Sequence, residues 1–415
     1  MKSINFEKNR QKRKTRDFIA NAFTYLAAGL ATTVLVSIFI FVLVRGTKVL
    51  SFKMLTSNYW SVNLLAEVNE SDITDFSRPD HLDESVYFSQ RYGIGVKDRI
   101  NQQKKHLIEI QYVDPKSPFS EATVTTKGEY YQQNVGDLTD NNITRLVLVD
   151  ESGETMNAGT QVNDTAESLV DKLQASSSVK SIFYQSAGGG IWGSLIATLL
   201  LIFISLLISL PIGISAAIYL HEYAKPNKLT DLMRSSIEML SGVPSIIFGL
   251  MGVAVLFPFT TVFGANSLSI LLGGFTMSVM LLPIVIRQTE ESLIVVPNGL
   301  RNASLSLGAT ETQTIFKVVL PTALPGIISA VLLAVSRVIG ESAALIYTMG
   351  TAISDHPKLL QGATSLAVQI WSIMNGEQPN FELASAISII ILIVVLGLNL
   401  SVKLITNRLN RKWNQ

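Results

Sequence analysis

The amino-acid sequence predicts an all-α polytopic membrane protein of six transmembrane helices, with a small α/β domain inserted behind the first of them. Three observations carry this prediction. Hydrophobic residues make up 48% of the 415 and charged residues only 16%, with a mean hydropathy of +0.35, and the apolar residues are clumped into runs. Six of those runs approach or exceed the ~20 residues that a helix needs to cross ~30 Å of hydrocarbon. Between the first and second run lies a long polar stretch carrying the two-residue period of half-buried strands.

Taken in order, residues 1–17 form a basic tail, in which 1–16 hold Lys2, Lys8, Arg10, Lys12, Arg13, Lys14 and Arg16 against the single acid Glu7. Such a run just before an apolar segment marks the cytoplasmic side of a membrane. The anchor, 18–44, is free of charge and longer than a signal-peptide core, and no small-residue cleavage site follows it, so it is expected to stay attached. Residues 45–186 are polar and charged. They alternate at 106–113 (HLIEIQYV) and 145–150 (RLVLVD), with turn formers at Asp114-Pro115 and Glu151-Ser152-Gly153. Residues 163–179 open with cap-type residues and read as a helix followed by a serine linker. A unit of roughly 130 residues can bury its own core without disulfides. Behind one crossing from a cytoplasmic tail, it is expected outside the cytoplasm.

The membrane core, 187–405, holds apolar spans at about 191–220, 232–256, 268–286, 323–349 and 383–405, followed by a short tail at 406–415. Lysine and arginine fall in alternate connections: Lys225, Lys228, Arg234, Arg287, Arg301, Lys317, Lys403, Arg408, Arg411 and Lys412 on one side, and Lys358 alone on the other. Positive charge stays inside, so both termini are placed in the cytoplasm. Pro211, Pro244 and Pro283 are expected to kink their helices, and Gly213, Gly242, Gly249, Gly273 and Gly274 to let helices approach closely. Kinks at membrane depth favour a transporter core lined by a wet cavity over a passive anchor.

One mostly polar loop, 297–321, interrupts the greasy spans. Pro297 suits a first helical turn, Leu300, Ala303 and Leu307 share a face, and Gly308 can close that helix in the left-handed conformation. Thr310 with Gln313 is a capping box that should start a second helix, with Ile315, Val318 and Val319 as its apolar stripe and Pro321 as its end. Taken alone, this could be an ordinary amphipathic connector.

The loop resembles the cytoplasmic signature of ABC-importer permeases: Glu-Ala-Ala, three residues, Gly, nine residues, Ile-x-Leu-Pro. Here Asn302, Ala303 and Ser304, then Gly308, then Val318, Leu320 and Pro321 stand at those spacings, just after Arg301, with Asn302 in place of the acidic residue. The phrases AGGGIWGSLIATLL (187–200), YLHEYA (219–224), SGVPSIIFGL (241–250) and SRVIGESAAL (336–345) narrow the resemblance to the phosphate-importer permease family, over roughly residue 187 to the C-terminus. The resemblance implies a multi-pass protein of the bacterial inner membrane that works with a second homologous permease, a cytoplasmic ABC ATPase dimer holding ATP and Mg, and an extracytoplasmic phosphate-binding protein. The loop 297–321 would couple the ATPase to the membrane helices. The 45–186 insert is absent from the usual family pattern, and its role is open between a partner contact and a spacer.

Arg337 and Glu341 lie in the fifth span, four residues apart and thus on one helical face. Arg337 sits about 20 Å along the helix from Ala323, well inside hydrocarbon. Ions at that depth face a partner or an aqueous pathway; a mutually neutralising structural pair is the alternative. The resemblance favours a substrate pathway in which the arginine meets phosphate oxygens and the glutamate moderates its charge. Arg287 ends the fourth span with Glu290 and Glu291 one turn on, and reads as an interfacial anchor or a further pathway residue. Glu222 reads as structural.

No phosphate-loop motif, cysteine, zinc-spaced histidine pair or nucleophile triad occurs. The chain is therefore expected to be a non-catalytic subunit without a cofactor of its own, energised by another polypeptide. A net charge of +1 gives no reason to expect nucleic acid; lipid is the surrounding partner. Permeases for molybdate, sulfate or phosphonate share the loop and remain alternatives, as does a membrane-anchored sensor using the outer domain as receptor.

Overall fold

The computed structural model describes residues 6–68, 75–100, 106–127, 131–186, 188–376 and 379–413. Lys2 of the basic tail, Ala187 at the head of the membrane core, and residues 414–415 of the last tail lie outside the described residues. The chain divides into two compact units, 1–56 with 191–415, and 57–190.

The first element, α1 (Phe6–Gly46), continues the anchor back through the basic run as one helix. Its crossing stretch, Arg16–Gly46, buries no residue against the protein, as befits a helix that is apolar on every side. Gly46 is the exception at its end. A Cβ there would lie 2.6 Å from Ile389 Cδ1 and 2.8 Å from the Ala386 amide, so the last helix can cross only against a glycine. The short α2 (Phe52–Thr56) buries Met54, whose carbonyl accepts the Ile191 amide at 3.0 Å.

The soluble unit is an eight-stranded antiparallel sheet: β1 (Asn63–Glu67), β2 (Tyr87–Ser89), β3 (Ile94–Ile100), β4 (His106–Val113), β5 (Thr123–Val124), β6 (Asn142–Val149), β7 (Thr155–Ala158) and β8 (Ser178–Gln185). The strand order is β2-β3-β4-β6-β8-β1-β5, with β7 paired to β6. Helix α3 (Ala166–Ala175) packs Leu169 and Leu173 into the same core as Ile108, Ile110, Leu146, Leu148 and Ile182. The alternation at 106–113 is β4, and that at 145–150 is most of β6. The expected serine linker is wrong. Ser177 donates its amide and hydroxyl to the Val149 carbonyl at 2.7 and 2.8 Å, and the chain runs directly into β8 between β6 and β1. Serines satisfied by a neighbouring strand read in sequence like a flexible tether, because the partner lies 28 residues away.

In the membrane unit, α4 (Trp192–Ile218) ends in a π turn, Tyr219–Tyr223. Then come α5 (Lys228–Ser241), α6 (Ser245–Met251), a π turn at Gly252–Leu256, and α7 (Phe257–Val262). They are followed by α8 (Ile270–Ile294), α9 (Asn298–Ser306), α10 (Glu311–Thr314), a third π turn at Ile315–Val319, and α11 (Leu320–Gly340). The unit closes with α12 (Ala343–Thr348), α13 (Leu366–Met374) and α14 (Phe381–Trp413). Six stretches among the described residues are long and apolar enough to cross a membrane.

Three expectations about these helices are corrected. The span at 232–256 is broken: α5 ends at Gly242, and Pro244, with ψ at 138°, opens α6, so the crossing stretch is Ser245–Val262. A proline disfavours the helical conformation for the residue before it; Pro211 and Pro283 are nonetheless carried inside α4 and α8, and at Val243-Pro244 the preceding Gly242 completes the break. The span at 323–349 is broken too, because Glu341 leaves helical geometry (ψ 132°) between α11 and α12. Pro321 does not end the helix that begins at Thr310. The chain stays helical from Glu311 through the π turn, whose extra residue precedes Pro321, and on into α11.

The most enclosed of the membrane helices is α8, with 72% of its crossing window buried. A Cβ at Gly213 of α4 would come within 2.7 Å of Val285 Cγ1, and one at Gly274 of α8 within 2.6 Å of Ile204 Cγ2, so these glycines set the α4–α8 separation. Gly249 and Gly273 are likewise close to Ala344 and Met349, whereas Gly242 serves the break and meets only Met239 O at 3.5 Å.

Candidate functional site

The loop after α8 is built by local signals. Pro297 is the residue before the first turn of α9, and Gly308 adopts φ +88° just past its end. The capping box is complete: the Gln313 amide donates to Thr310 Oγ1 at 3.2 Å, and the Thr310 amide to Gln313 Oε1 at 3.1 Å. A Ser304–Thr314 hydroxyl contact of 2.9 Å ties α9 to α10.

The loop has two faces. On one, α9 buries none of its residues, and apolar side chains stand free: Leu307 is 90% exposed, Val295 80%, and Leu300 and Leu305 are exposed as well. Asn302 and Ala303 lie on this exposed surface, and Ser304 is half-buried. On the other, Ile315, Val319, Ala323 and Ile327 pack with Ile218 from α4 and with Leu293 and Val296 from the end of α8. Val318, Leu320 and Pro321 are half-buried at the edge of this cluster.

Arg301 is the inward exception on α9. Its Nη2 donates to Glu222 Oε1 at 2.9 Å and to the Leu293 carbonyl at 3.1 Å. Its Nη1 donates to the Val296 carbonyl at 2.7 Å and to Asn298 Oδ1 at 3.2 Å. Glu222 belongs to the π turn that ends α4. Sequence reasoning left it as structural, because an acid at an apolar span's end looks solvated; its partner lies 79 residues on.

The second candidate region lies between α5, α8 and α11. A cavity of about 310 Å³ is lined by Ser241, Pro283, Ile284, Arg287, Gln288, Leu333 and Arg337. It brings together Arg287 and Arg337, which are on different helices and 50 residues apart. Arg337 Nη2 reaches Glu341 Oε2 at 3.5 Å; the arginine is half exposed and the glutamate almost fully buried. The pair is therefore not two residues on one continuous helix: Glu341 is held at the end of α11, and its other oxygen accepts the Ala344 amide of α12 at 3.4 Å.

Arg287 also lines an adjoining cavity of about 190 Å³ with Arg234, Glu238, Glu290 and Glu291. There Arg287 Nε lies 3.5 Å from Glu291 and Arg234 Nη1 lies 3.1 Å from Glu290. Arg234 was visible in the sequence only as a positive charge between spans. The α5 break turns it against α8.

The sequence pattern of the family described as "binding-protein-dependent transport system inner membrane component" matches residues 209–415, so the soluble unit lies outside the match. The probable ABC transporter permease protein YqgI of Bacillus subtilis is 34% identical over 242 residues, covering 55% of this chain and 81% of that protein. The phosphate transport system permease protein PstA 1 of Mycobacterium tuberculosis is 31% identical over 230 residues, covering 55% of this chain and 74% of that protein. Among solved structures, an inward-facing MetNI methionine ABC transporter aligns with a TM-score of 0.41 at 26% identity, over 53% of this chain and 94% of its own.

Proposed function

The chain belongs to the family of inner membrane components of binding-protein-dependent transport systems, and on that premise we propose that it is the permease for inorganic phosphate in an ATP-driven importer. As an ABC-importer permease it is a non-catalytic membrane subunit, and ATP is hydrolysed by a separate chain. The observation that carries the phosphate reading is a cavity lined by both Arg287 and Arg337. Guanidinium groups offer planar donor forks that match phosphate oxygens, and the carboxylates paired with them, Glu341 beside Arg337 and Glu291 beside Arg287, offset part of their charge so that the anion can leave. The likeness to phosphate permeases supports the choice among oxyanions. Sulfate, molybdate or a phosphonate would suit the same donors and is the second reading.

In the proposed assembly a second related permease completes the pathway, two ATPase chains bind ATP and Mg, and a soluble phosphate-binding protein delivers the anion from outside. The exposed face of α9, with Leu305 and Leu307, meets the ATPase; the neutral Asn302 leaves that contact to apolar packing. The soluble unit lies outside and both termini inside, following the lysine and arginine distribution. Closure of the ATPase then shifts the population between outward-open and inward-open cavities.

The test is ATP-dependent uptake of radiolabelled phosphate by the reconstituted complex, with Arg337→Gln beside the parent and sulfate and molybdate as competitors. A hydrogen bond to a charged group contributes roughly 1.5–3 kcal/mol, so the variant should lose about ten- to a hundredfold in uptake efficiency. Uptake unchanged in Arg337→Gln removes the pathway assignment. A parent that imports another oxyanion and ignores phosphate removes the cargo.

A further inference from the structure

We propose that the Glu222–Arg301 pair is the joint that carries displacement of α9 to α4, making both positioning residues for transport. This rests on the permease reading and not on which anion is carried. The chain itself links α9 to α8, through the three residues 295–297, and to α10, through the four residues 307–310, and neither link reaches α4. No covalent path of comparable length reaches α4, whose end lies 79 residues away in sequence at Glu222. Any push on the exposed face of α9 must therefore reach α4 through non-covalent contacts. Besides the α4–α8 packing, two main sets join the loop to the end of α4. The apolar cluster of Ile218 with Ile315 and Val319 is non-directional and can slide. The ion pair cannot slide without breaking, because Arg301 is fixed at four acceptors at once.

The geometry of those four bonds suits a joint. The Leu293 carbonyl in the last turn of α8 and the Val296 carbonyl just beyond it accept from Nη2 and Nη1, and Nη2 also reaches Glu222 at the end of α4, so one guanidinium holds both helix ends. Glu222 is aimed at it by the π turn, whose extra residue rotates the helix end by about 100° relative to a regular continuation. Both side chains are largely buried, at 17% and 10% exposed, so water does not substitute easily for either. His221 Nε2 lies 3.7 Å from the same Glu222 oxygen, and the Tyr223 hydroxyl reaches Thr312 Oγ1 at 3.5 Å as a weaker parallel contact.

The chain has no cysteine, so Ser215→Cys on α4 and Gly299→Cys on α9, both at exposed positions, can carry a pair of spin labels in the full complex assembled with cysteine-free partners. The readouts are the inter-label distance by pulsed spin resonance, nucleotide-free and trapped with ATP and vanadate, and the ATP hydrolysed per anion imported. In the parent the distance stays the same in both states, because α9 and α4 travel together. In Glu222→Ala, which leaves Arg301 on its α8 carbonyls, the distance should change on trapping and the ATP spent per anion should rise about tenfold. Glu222→Gln, which keeps an acceptor without the charge, should fall between.

An unchanged distance and stoichiometry in Glu222→Ala overturns the proposal. So does failure of both variants to assemble with the ATPase, which makes the pair a folding brace. A parent that imports no phosphate leaves the distance result standing and counts against the cargo alone.

Discussion

The loop between α8 and α11 offers a test in which one chemical change has opposite signs at two sites. Gly308 stands at φ +88°, a region that an L-residue enters at a cost of roughly 1–2 kcal/mol. A Cβ there would meet nothing within 4 Å, so neither a clash nor a packing gain enters. Reduced freedom of the unfolded chain returns roughly 0.4–1 kcal/mol, which leaves Gly308→Ala destabilising the folded loop by about 1 kcal/mol. Gly299 also has empty space around its missing Cβ, but it lies in the first turns of α9 with no left-handed requirement. Gly299→Ala should therefore stabilise α9 by roughly 0.5 kcal/mol, near the lower end of the helix preference for alanine. Amide hydrogen exchange, read by mass spectrometry on peptides covering 298–320, reports both. Gly308→Ala should exchange about fivefold faster than the parent, and Gly299→Ala about twofold slower. Parental exchange in Gly308→Ala, or faster exchange in Gly299→Ala, refutes the assignment of Gly308 as the hinge between two capped helices.

Two more predictions concern packing and pH. Gly213→Ala puts a methyl 2.7 Å from Val285 Cγ1 on the most enclosed membrane helix, so it should destabilise by roughly 1–3 kcal/mol, seen as a lower unfolding temperature in detergent. In the soluble unit, burial pushes the Asp164 carboxyl up. The Lys172 ammonium at 2.7 Å, the Gly159 amide and the Ser168 hydroxyl outweigh it and hold the carboxyl below the usual carboxylate range. A carboxyl lowered in the folded state contributes its stability in full above the unfolded value of about 3.9 and loses it as pH falls through the folded one. The acid-induced loss of sheet signal in circular dichroism should therefore shrink in Asp164→Asn, whose starting stability at neutral pH is lower. An unaltered acid transition in that variant excludes Asp164 as a contributor.

Local signals in the sequence were sufficient for much of this. Gly308 and the Thr310–Gln313 box are decided within a few residues of chain, by backbone sterics and one pair of hydrogen bonds, and they stand where the spacing placed them. Strand β4 occupies the predicted 106–113 because alternation is itself a two-residue property. Six crossing stretches follow from the length of apolar runs alone.

Tertiary structure decided the rest. Pro321 could stop a helix or be carried inside one, and the π turn before it, packed through Ile315 and Val319, goes with the second. Glu341 leaves helical geometry where its carboxylate faces Arg337 and the Ala344 amide, contacts that no local pattern announces. The cavity shared by Arg287 and Arg337, and the bond from Glu222 to Arg301, join residues dozens of positions apart. Periodicity and capping report what a segment does with its neighbours in sequence. Glycines such as Gly213 and Gly274 mark where helices approach closely, but which charge meets which depends on the partner helix they meet, and that is not written in either segment.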